Sequence, residues 1–395
     1  MARETDVPQK SFGAAGAVAA LAALSTLLVE LLARAEPGML PVPVQAMTGR
    51  RAGSWAGFFD DWHATLVPDP ALGFRHRPNL DVVLAGHPDF SYCLRTNSRG
   101  LRTSVEDGPV DVVAIGDSFT FGYGVDERAA WPAQLAGLTG LSVANLGISG
   151  FGPGSELAAL REEGLRLQPR LVLWQFYAND LLDAASFAGW QASGEGDFLA
   201  WERGRMLPAA AFPLAAPGAA LRGLLHRHLV SYELAKWTLR AGVYGARRSP
   251  ARWIDVDGVP LLLDISGPSA WSDRTDPQVR AGMALTGAAL HAARDEARAA
   301  GAELAVVLAP TKEAVYWRGA ARERMALEGN DRWMAHLCRT LDIPCLPLLP
   351  ALAGAAGQAG PLYFGQDVHW NPIGHRLAAR EIARFVVRLG GENLS

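Results

Sequence analysis

The chain has 395 residues, a mass of 42.1 kDa, 37 basic and 40 acidic side chains, a formal charge of −3 and a pI near 6.3. Apolar residues make up 49% and charged residues 19%, which fills a sizeable core and excludes a disordered chain. A slightly negative chain without a basic stripe gives phosphate backbones nothing to pull on, so no nucleic acid partner is expected. The length predicts one large domain with insertions, or two domains. Cys93, Cys338 and Cys345 are an odd number without a CxxC pair, so neither a disulfide framework nor a zinc site is specified.

From Ser11 to Val29 the chain carries nineteen residues without a charge, closed by Glu30 and Arg34. At about 1.5 Å per residue this run makes a helix of roughly 28 Å, close to the hydrocarbon thickness of a bilayer. Three readings are open for residues 1–35: an uncleaved signal anchor, a signal peptide cleaved at Ala33-Arg34-Ala35, or a buried helix. The first is preferred, with the bulk of the chain outside the cytoplasm, in the periplasm or at the cell surface. A secreted protein is the alternative.

Residues 36–105, rich in Pro, Gly and Trp, predict an extended arm with short strands that ends at TNSRGLRTS. From Val110 the pattern changes. VDVVAIGDS reads as a strand, Trp131 to Leu138 as a helix, LSVANLG as a strand, SELAALREEGLRL as a helix and RLVLWQFYAND as a third strand. Strands alternating with helices predict an α/β fold, a three-layer α/β/α sandwich around a central parallel sheet. That core occupies 106–182 and resumes at 276–392.

Between them, 183–275 reads as an insertion or lid with one amphipathic helix at SYELAKWTLRAG and a hairpin at WIDVDGVPLLLDI. Trp190, Trp201, Trp237, Trp253 and Trp271 fall in or near it, either as sugar-stacking platforms or as core and membrane-facing aromatics. After Asp276 come a long Ala-rich helix to Ala300, the strand AELAVVLAP, a helix from about Arg322 to Leu341 and the strand IPCLPL. The last helix starts at NPIGH, with Asn371 as N-cap and Pro372 as first residue.

Ser118 directly follows the first strand, where a parallel sheet exposes a hydroxyl together with free N–H groups. Gly150 follows the second strand, where the missing side chain lets the backbone approach a ligand. Asn179 ends the third strand and offers an amide donor. With the N–H of Ser118 these form a candidate oxyanion hole. His369 is the candidate base for Ser118 and Asp367 its orienting carboxylate, since residues two apart in an extended segment point the same way. His375 competes as base and reads as a surface or core-flank histidine. HRH at 226 to 228 lacks a third ligand nearby and reads as solvated helix surface.

GDS at 116 to 118, NLGISG ending at Gly150, YAND with Asn179 and DVH at 367 to 369 together resemble the four blocks of the SGNH (GDSL-type) hydrolase superfamily. The resemblance spans about 110 to 182 and 276 to 390 and implies an SGNH, flavodoxin-like fold and a serine-dependent acyl hydrolase. It implies no cofactor and no metal. Tyr177 replaces the glycine usual in the third block, and Asp-Val-His replaces Asp-x-x-His. DVHW and PTKEAVYW at 310 to 317 are similar to the alginate O-acetyltransferase-like branch, whose domains act on acetyl groups of polysaccharide outside the cytoplasm. The expected partner is therefore an acyl ester, with carbohydrate open as its alcohol. The expected function is an esterase. The alternatives are a polysaccharide O-acyltransferase and a non-catalytic, membrane-anchored binding protein.

Overall fold

A computed structural model describes residues 65–84, 89–206 and 252–393, with 21, 24–32, 35, 58–59, 231 and 234. The chain divides into two units, Met1–Ser54 with Phe212–Arg247, and Trp55–Ala211 with Arg248–Ser395. In the first unit Leu24 to Leu32 are helical, and Leu24, Leu27, Leu28, Leu31 and Leu32 are all exposed. The Glu30 carboxylate there accepts the main-chain N–H of Ser231 at 2.8 Å. Most of the apolar run Ser11–Val29 and most of the helix expected at SYELAKWTLRAG lie outside the described residues, as do the HRH triplet and Trp237. Among the described residues no helix is long and apolar enough to cross a membrane.

The second unit is built on a five-stranded sheet. Its strands are β1 (Val112–Ile115), β2 (Val143–Asn145), β3 (Leu171–Phe176), β4 (Glu303–Leu308) and β5 (Cys345–Pro347). All pair in parallel, in the order β5-β4-β3-β1-β2. Val112 sits opposite Leu171 on one side and Val143 on the other. The runs VVAI and LVLWQF are buried throughout, and apolar but for Gln175, because both faces of a parallel sheet are covered.

Alternation along the strands sorts side chains between the two faces. Val112, Ala114, Leu171, Leu173, Ala305 and Val307 pack with Trp131 and Leu135 of helix α2 (Trp131–Thr139) and with Ala378, Ile382 and Phe385 of the C-terminal helix Pro372–Asn393. Val113, Ile115, Val172, Trp174, Leu304 and Val306 pack on the opposite face. Their partners include Leu157 of α3 (Pro153–Ala159), Leu181 of α4 (Asp180–Ser193), Leu290 and Ala293 of α5 (Pro277–Ala299), and Met334 of the helix Gly329–Thr340. Each such aliphatic or aromatic side chain contributes roughly 1.5–3 kcal/mol by leaving water. The result is three layers, as the alternating pattern predicts.

Two expected helices are modified for identifiable reasons. The helix expected over SELAALREEGLRL is α-helical only to Ala159, then widens through Leu160–Gly164 and tightens over Leu165–Leu167. The widened turn carries the buried Glu163 to the guanidinium groups of Arg75 and Arg99, at 3.2 and 2.5 Å, which satisfies a carboxylate that is costly to bury alone. The helix expected from Arg322 to Leu341 is two, Ala321–Leu327 and Gly329–Thr340. The second starts where the buried Asn330 amide donates to the carbonyls of Ala178 and Trp271 at 2.9 and 3.0 Å.

Before the sheet lie two antiparallel pairs, Leu66–Asp69 with Gly73–His76 and Asp81–Leu84 with Tyr92–Arg95. The segment TNSRGLR then folds on itself, with Asn97 Oδ1 accepting the N–H groups of Arg99 and Leu101 at 3.0 and 2.9 Å. Helix α4 runs through residue 183, where the insertion is expected to start, and buries Ala184, Phe187 and Trp190. The hairpin Arg252–Val256 with Val259–Leu263 forms as expected. Of the tryptophans offered for stacking, Trp190 is enclosed by Phe187 and Phe198, so it presents no face to a sugar. Trp253 is exposed.

Candidate active site

Strand order reverses between β1 and β3, and in an open parallel sheet the crevice beyond the carboxyl ends at that point is where ligands bind. Ser118 opens α1 (Ser118–Phe121) immediately beyond β1, and Asn179 stands just beyond β3. Gly116 makes the turn between strand and α1. Its φ is +152°, and a Cβ there would lie 2.5 Å from Thr120 Oγ1 and 2.7 Å from Gln175 Oε1. Only glycine fits so close to the strand beside it. Asp117 then caps α1, accepting the Phe119 N–H at 2.9 Å, and its second oxygen is 3.5 Å from Ser118 Oγ. Burial raises the Asp117 carboxyl above the usual carboxylate range.

His369 Nε2 lies 2.6 Å from Ser118 Oγ, and His369 Nδ1 lies 2.6 Å from Asp367 Oδ1. A carboxylate only accepts, so Nδ1 carries the proton and Nε2 accepts from the serine hydroxyl. Asp367 Oδ1 also accepts the main-chain N–H of His369 at 2.8 Å, which closes the two residues into one rigid unit. Their side chains are 15% and 13% exposed, so the cluster reaches the surface. The imidazole is flanked by Phe119 and Tyr123, with ring centroids at 5.0 and 4.9 Å.

The loop that carries this unit is held from two sides. Asp89 Oδ2 accepts the N–H groups of Gln366 and Asp367, both at 2.7 Å. The fully buried Lys312 ammonium donates to the carbonyls of Phe364, Gly365 and Asp367, at 3.3, 3.3 and 2.8 Å. Burial lowers the Lys312 pKa, and the nearby carboxylates of Glu313, Asp367 and Asp89 oppose that effect. Arg102 does similar work on the serine side. Its guanidinium, buried against Tyr92 and Phe121, donates to the carbonyls of Phe121, Gly122 and Val125 at 2.8, 2.6 and 2.6 Å. Asn145 Nδ2 donates to the Thr120 carbonyl at 2.9 Å.

Ser118, His369 and Asp367 are thus brought together, although 251 residues separate the first two. Gly150 is an exposed residue of the otherwise buried loop after β2, with φ +84°, a left-handed conformation that favours glycine. Asn179 is the N-cap residue of α4, with its Nδ2 donating to Asp183 Oδ2 at 2.7 Å. His375 is not on the surface. It is buried in the core, accepts the Trp131 N–H at 3.3 Å through Nδ1, and has its pKa driven down to about 3 by burial. Tyr177 turns its ring into the core against Phe119, centroids 4.4 Å apart, rather than into the donor loop. Asp89, Lys312 and Asp183 were not picked out from sequence. Lys312 had a signal in PTKEAVYW, and Arg102 one in TNSRGLR; Asp89 and Asp183 had none. Among the described residues no group of His, Cys, Asp and Glu is arranged to hold a metal ion, and Cys93, Cys338 and Cys345 form no disulfide.

A serine, a histidine and an aspartate linked in series at the switch point of a parallel sheet define the class of α/β serine hydrolases. Within that class the chain belongs to the GDSL-like lipase/acylhydrolase family, whose model matches residues 114–377, about two thirds of the chain. No curated protein is significantly similar to it in sequence. Among solved structures it is similar to a lipolytic protein of the G-D-S-L family from Desulfitobacterium hafniense DCB-2, with 13% identity, 70% of this chain and 98% of that one covered, and a TM-score of 0.38. An acetylxylan esterase from Geobacillus stearothermophilus matches with 13% identity, 71% and 95% coverage and a TM-score of 0.37. A GDSL-like lipase from Bacteroides thetaiotaomicron VPI-5482 matches with 14% identity, 71% and 88% coverage and a TM-score of 0.35.

Proposed function

We propose that this chain is an esterase of short acyl groups, acetyl foremost, working through Ser118, His369 and Asp367. The observation that carries the reading is the pair of 2.6 Å contacts that link serine to histidine and histidine to aspartate. Ser118 Oγ attacks the ester carbonyl while His369 Nε2 takes its proton, and Asp367 stabilises the imidazolium that forms. The negative oxygen of the tetrahedral intermediate is received by the N–H groups of Ser118 and Gly150 and by the amide of Asn179. His369 then protonates the leaving alcohol. Water, deprotonated by the same histidine, attacks the acyl-serine and releases the acid.

The unit acts outside the cytoplasm, tethered by the run Ser11–Val29. Its nineteen uncharged residues support this, as do the exposed leucines from Leu24 to Leu32. Hydrolysis of p-nitrophenyl esters of increasing chain length tests the reading. Acetate should be turned over fastest, and Ser118→Ala should abolish turnover; Ser118-independent hydrolysis would overturn it. An oligosaccharide added to the same assay distinguishes transfer, which yields acetylated sugar, from hydrolysis, which yields acetate alone.

A further inference from the structure

Asp183 lies one helical turn beyond Asn179 in α4. Its Oδ2 accepts from Asn179 Nδ2 at 2.7 Å, while the Asn179 main-chain carbonyl accepts the Asp183 N–H at 3.2 Å. A primary amide is planar and carries two N–H donors on one nitrogen, so a fixed acceptor for one determines the direction of the other. Asn179 Oδ1 is buried and makes no hydrogen bond. Its bond to Asp183 is therefore the contact that orients this amide among its neighbours in the protein.

Asp183 also meets the glycine loop. A Cβ built on Gly152 would lie 2.6 Å from Asp183 Cβ and 3.1 Å from the Ala184 nitrogen. The loop that presents Gly150 thus rests its backbone on the residue that holds the Asn179 amide. Two of the three donors assigned to the oxyanion, from different strand ends, are referenced to one side chain.

We propose that Asp183 is the positioning residue of the oxyanion hole, setting the direction of the free Asn179 N–H and the seating of the Gly150 loop. This rests on the esterase reading above. A fixed donor gains most where charge develops, because no reorganisation is then needed at the moment of reaction. Loss of Asp183 should therefore lower kcat and leave KM nearly unchanged. An asparagine at the position keeps an acceptor oxygen and should restore the function. Leucine keeps the volume beneath Gly152 but removes the acceptor.

The test is p-nitrophenyl acetate hydrolysis by the full chain and its Ser118→Ala, Asn179→Ala, Asp183→Ala, Asp183→Leu, Asp183→Asn and Asn179→Ala/Asp183→Leu variants, with melting temperatures measured in parallel. The expected result is a fall in kcat of about 10- to 100-fold in Asp183→Leu, with KM within about twofold and most of kcat retained in Asp183→Asn. The double variant should be no slower than Asn179→Ala, because the two residues act through one donor. Should Asp183→Ala fail to fold, Asp183→Leu carries the test, since leucine fills the space that alanine would leave empty. A kcat for folded Asp183→Leu equal to wild type, or losses that multiply in the double variant, would overturn the assignment while leaving the esterase reading intact. A wild-type protein without Ser118-dependent turnover would overturn both.

Discussion

The ammonium of Lys312 lies 2.8 Å from the main-chain carbonyl of Asp367, and the carboxylate of Asp89 lies 2.7 Å from the N–H of the same residue. One residue is thus gripped at its donor and at its acceptor by opposite charges, two positions before the histidine that faces Ser118. Replacing Lys312 by methionine retains the packing and leaves three carbonyls without their cation. Unfolding free energy should fall by about 2–4 kcal/mol, the cost of buried acceptors left unpaired. The loss of kcat should exceed the loss of substrate affinity. Chemical denaturation and steady-state kinetics on Lys312→Met check both, and a variant as stable and active as wild type would refute the role.

Two histidines stand near the serine helix, and the geometry separates them. His369 carries the short contacts to Ser118 and Asp367, whereas His375 is buried, neutral and hydrogen-bonded to the Trp131 N–H. Asp367→Asn should reduce kcat by about 10⁴-fold, because the imidazole loses the acceptor that fixes its tautomer. His375→Gln should lower the melting temperature and leave the pH profile of kcat where it was. A pH profile that moves in His375→Gln would reverse the assignment of the base.

Stability should decline as pH rises from about 4 to about 7. Burial raises Asp331 from its ordinary 3.8 to about 7, and it also raises Asp117 and Asp183. Between the unfolded and folded pKa values the folded state holds more protons than the unfolded chain. The slope of unfolding free energy against pH is therefore negative in that window. Each pH unit between the two values is worth about 1.4 kcal/mol per group. Asp331→Asn, which cannot ionise, should flatten the slope and be more stable than wild type at pH 8. Urea titrations at pH 5, 6, 7 and 8 read this directly, and parallel curves for the two proteins would contradict it.

The sheet was legible in the sequence because its strands are largely apolar runs, VVAI, LVLWQF and ELAVVL, separated by helical segments. Ser118 was legible because it directly follows a strand, and Asp367 and His369 because they stand two apart just before the last helix. The supports were not. Asp89 sits in a polar stretch with no periodicity, and its target is the loop 277 residues later, a pairing that no local pattern encodes. Asp183 was passed over because one turn after a helix cap an aspartate reads as ordinary favourable charge near the helix N-terminus. Surface and core flank both stayed open for His375 because its position three residues into a helix does not reveal which face that helix buries. The split of the expected helix at 322–341 arises from Asn330 reaching to Ala178 and Trp271, again a contact distant in sequence.

The central claim is that His369 makes Ser118 a nucleophile, and covalent capture reads it most directly. Full-length protein treated with a fluorophosphonate probe, then digested and analysed by mass spectrometry, should carry one adduct on the peptide containing Ser118. Labelling should vanish in Ser118→Ala and slow by several orders of magnitude in His369→Ala. Folded wild-type protein that takes up no probe, or an adduct on another residue that persists in Ser118→Ala, would contradict the account.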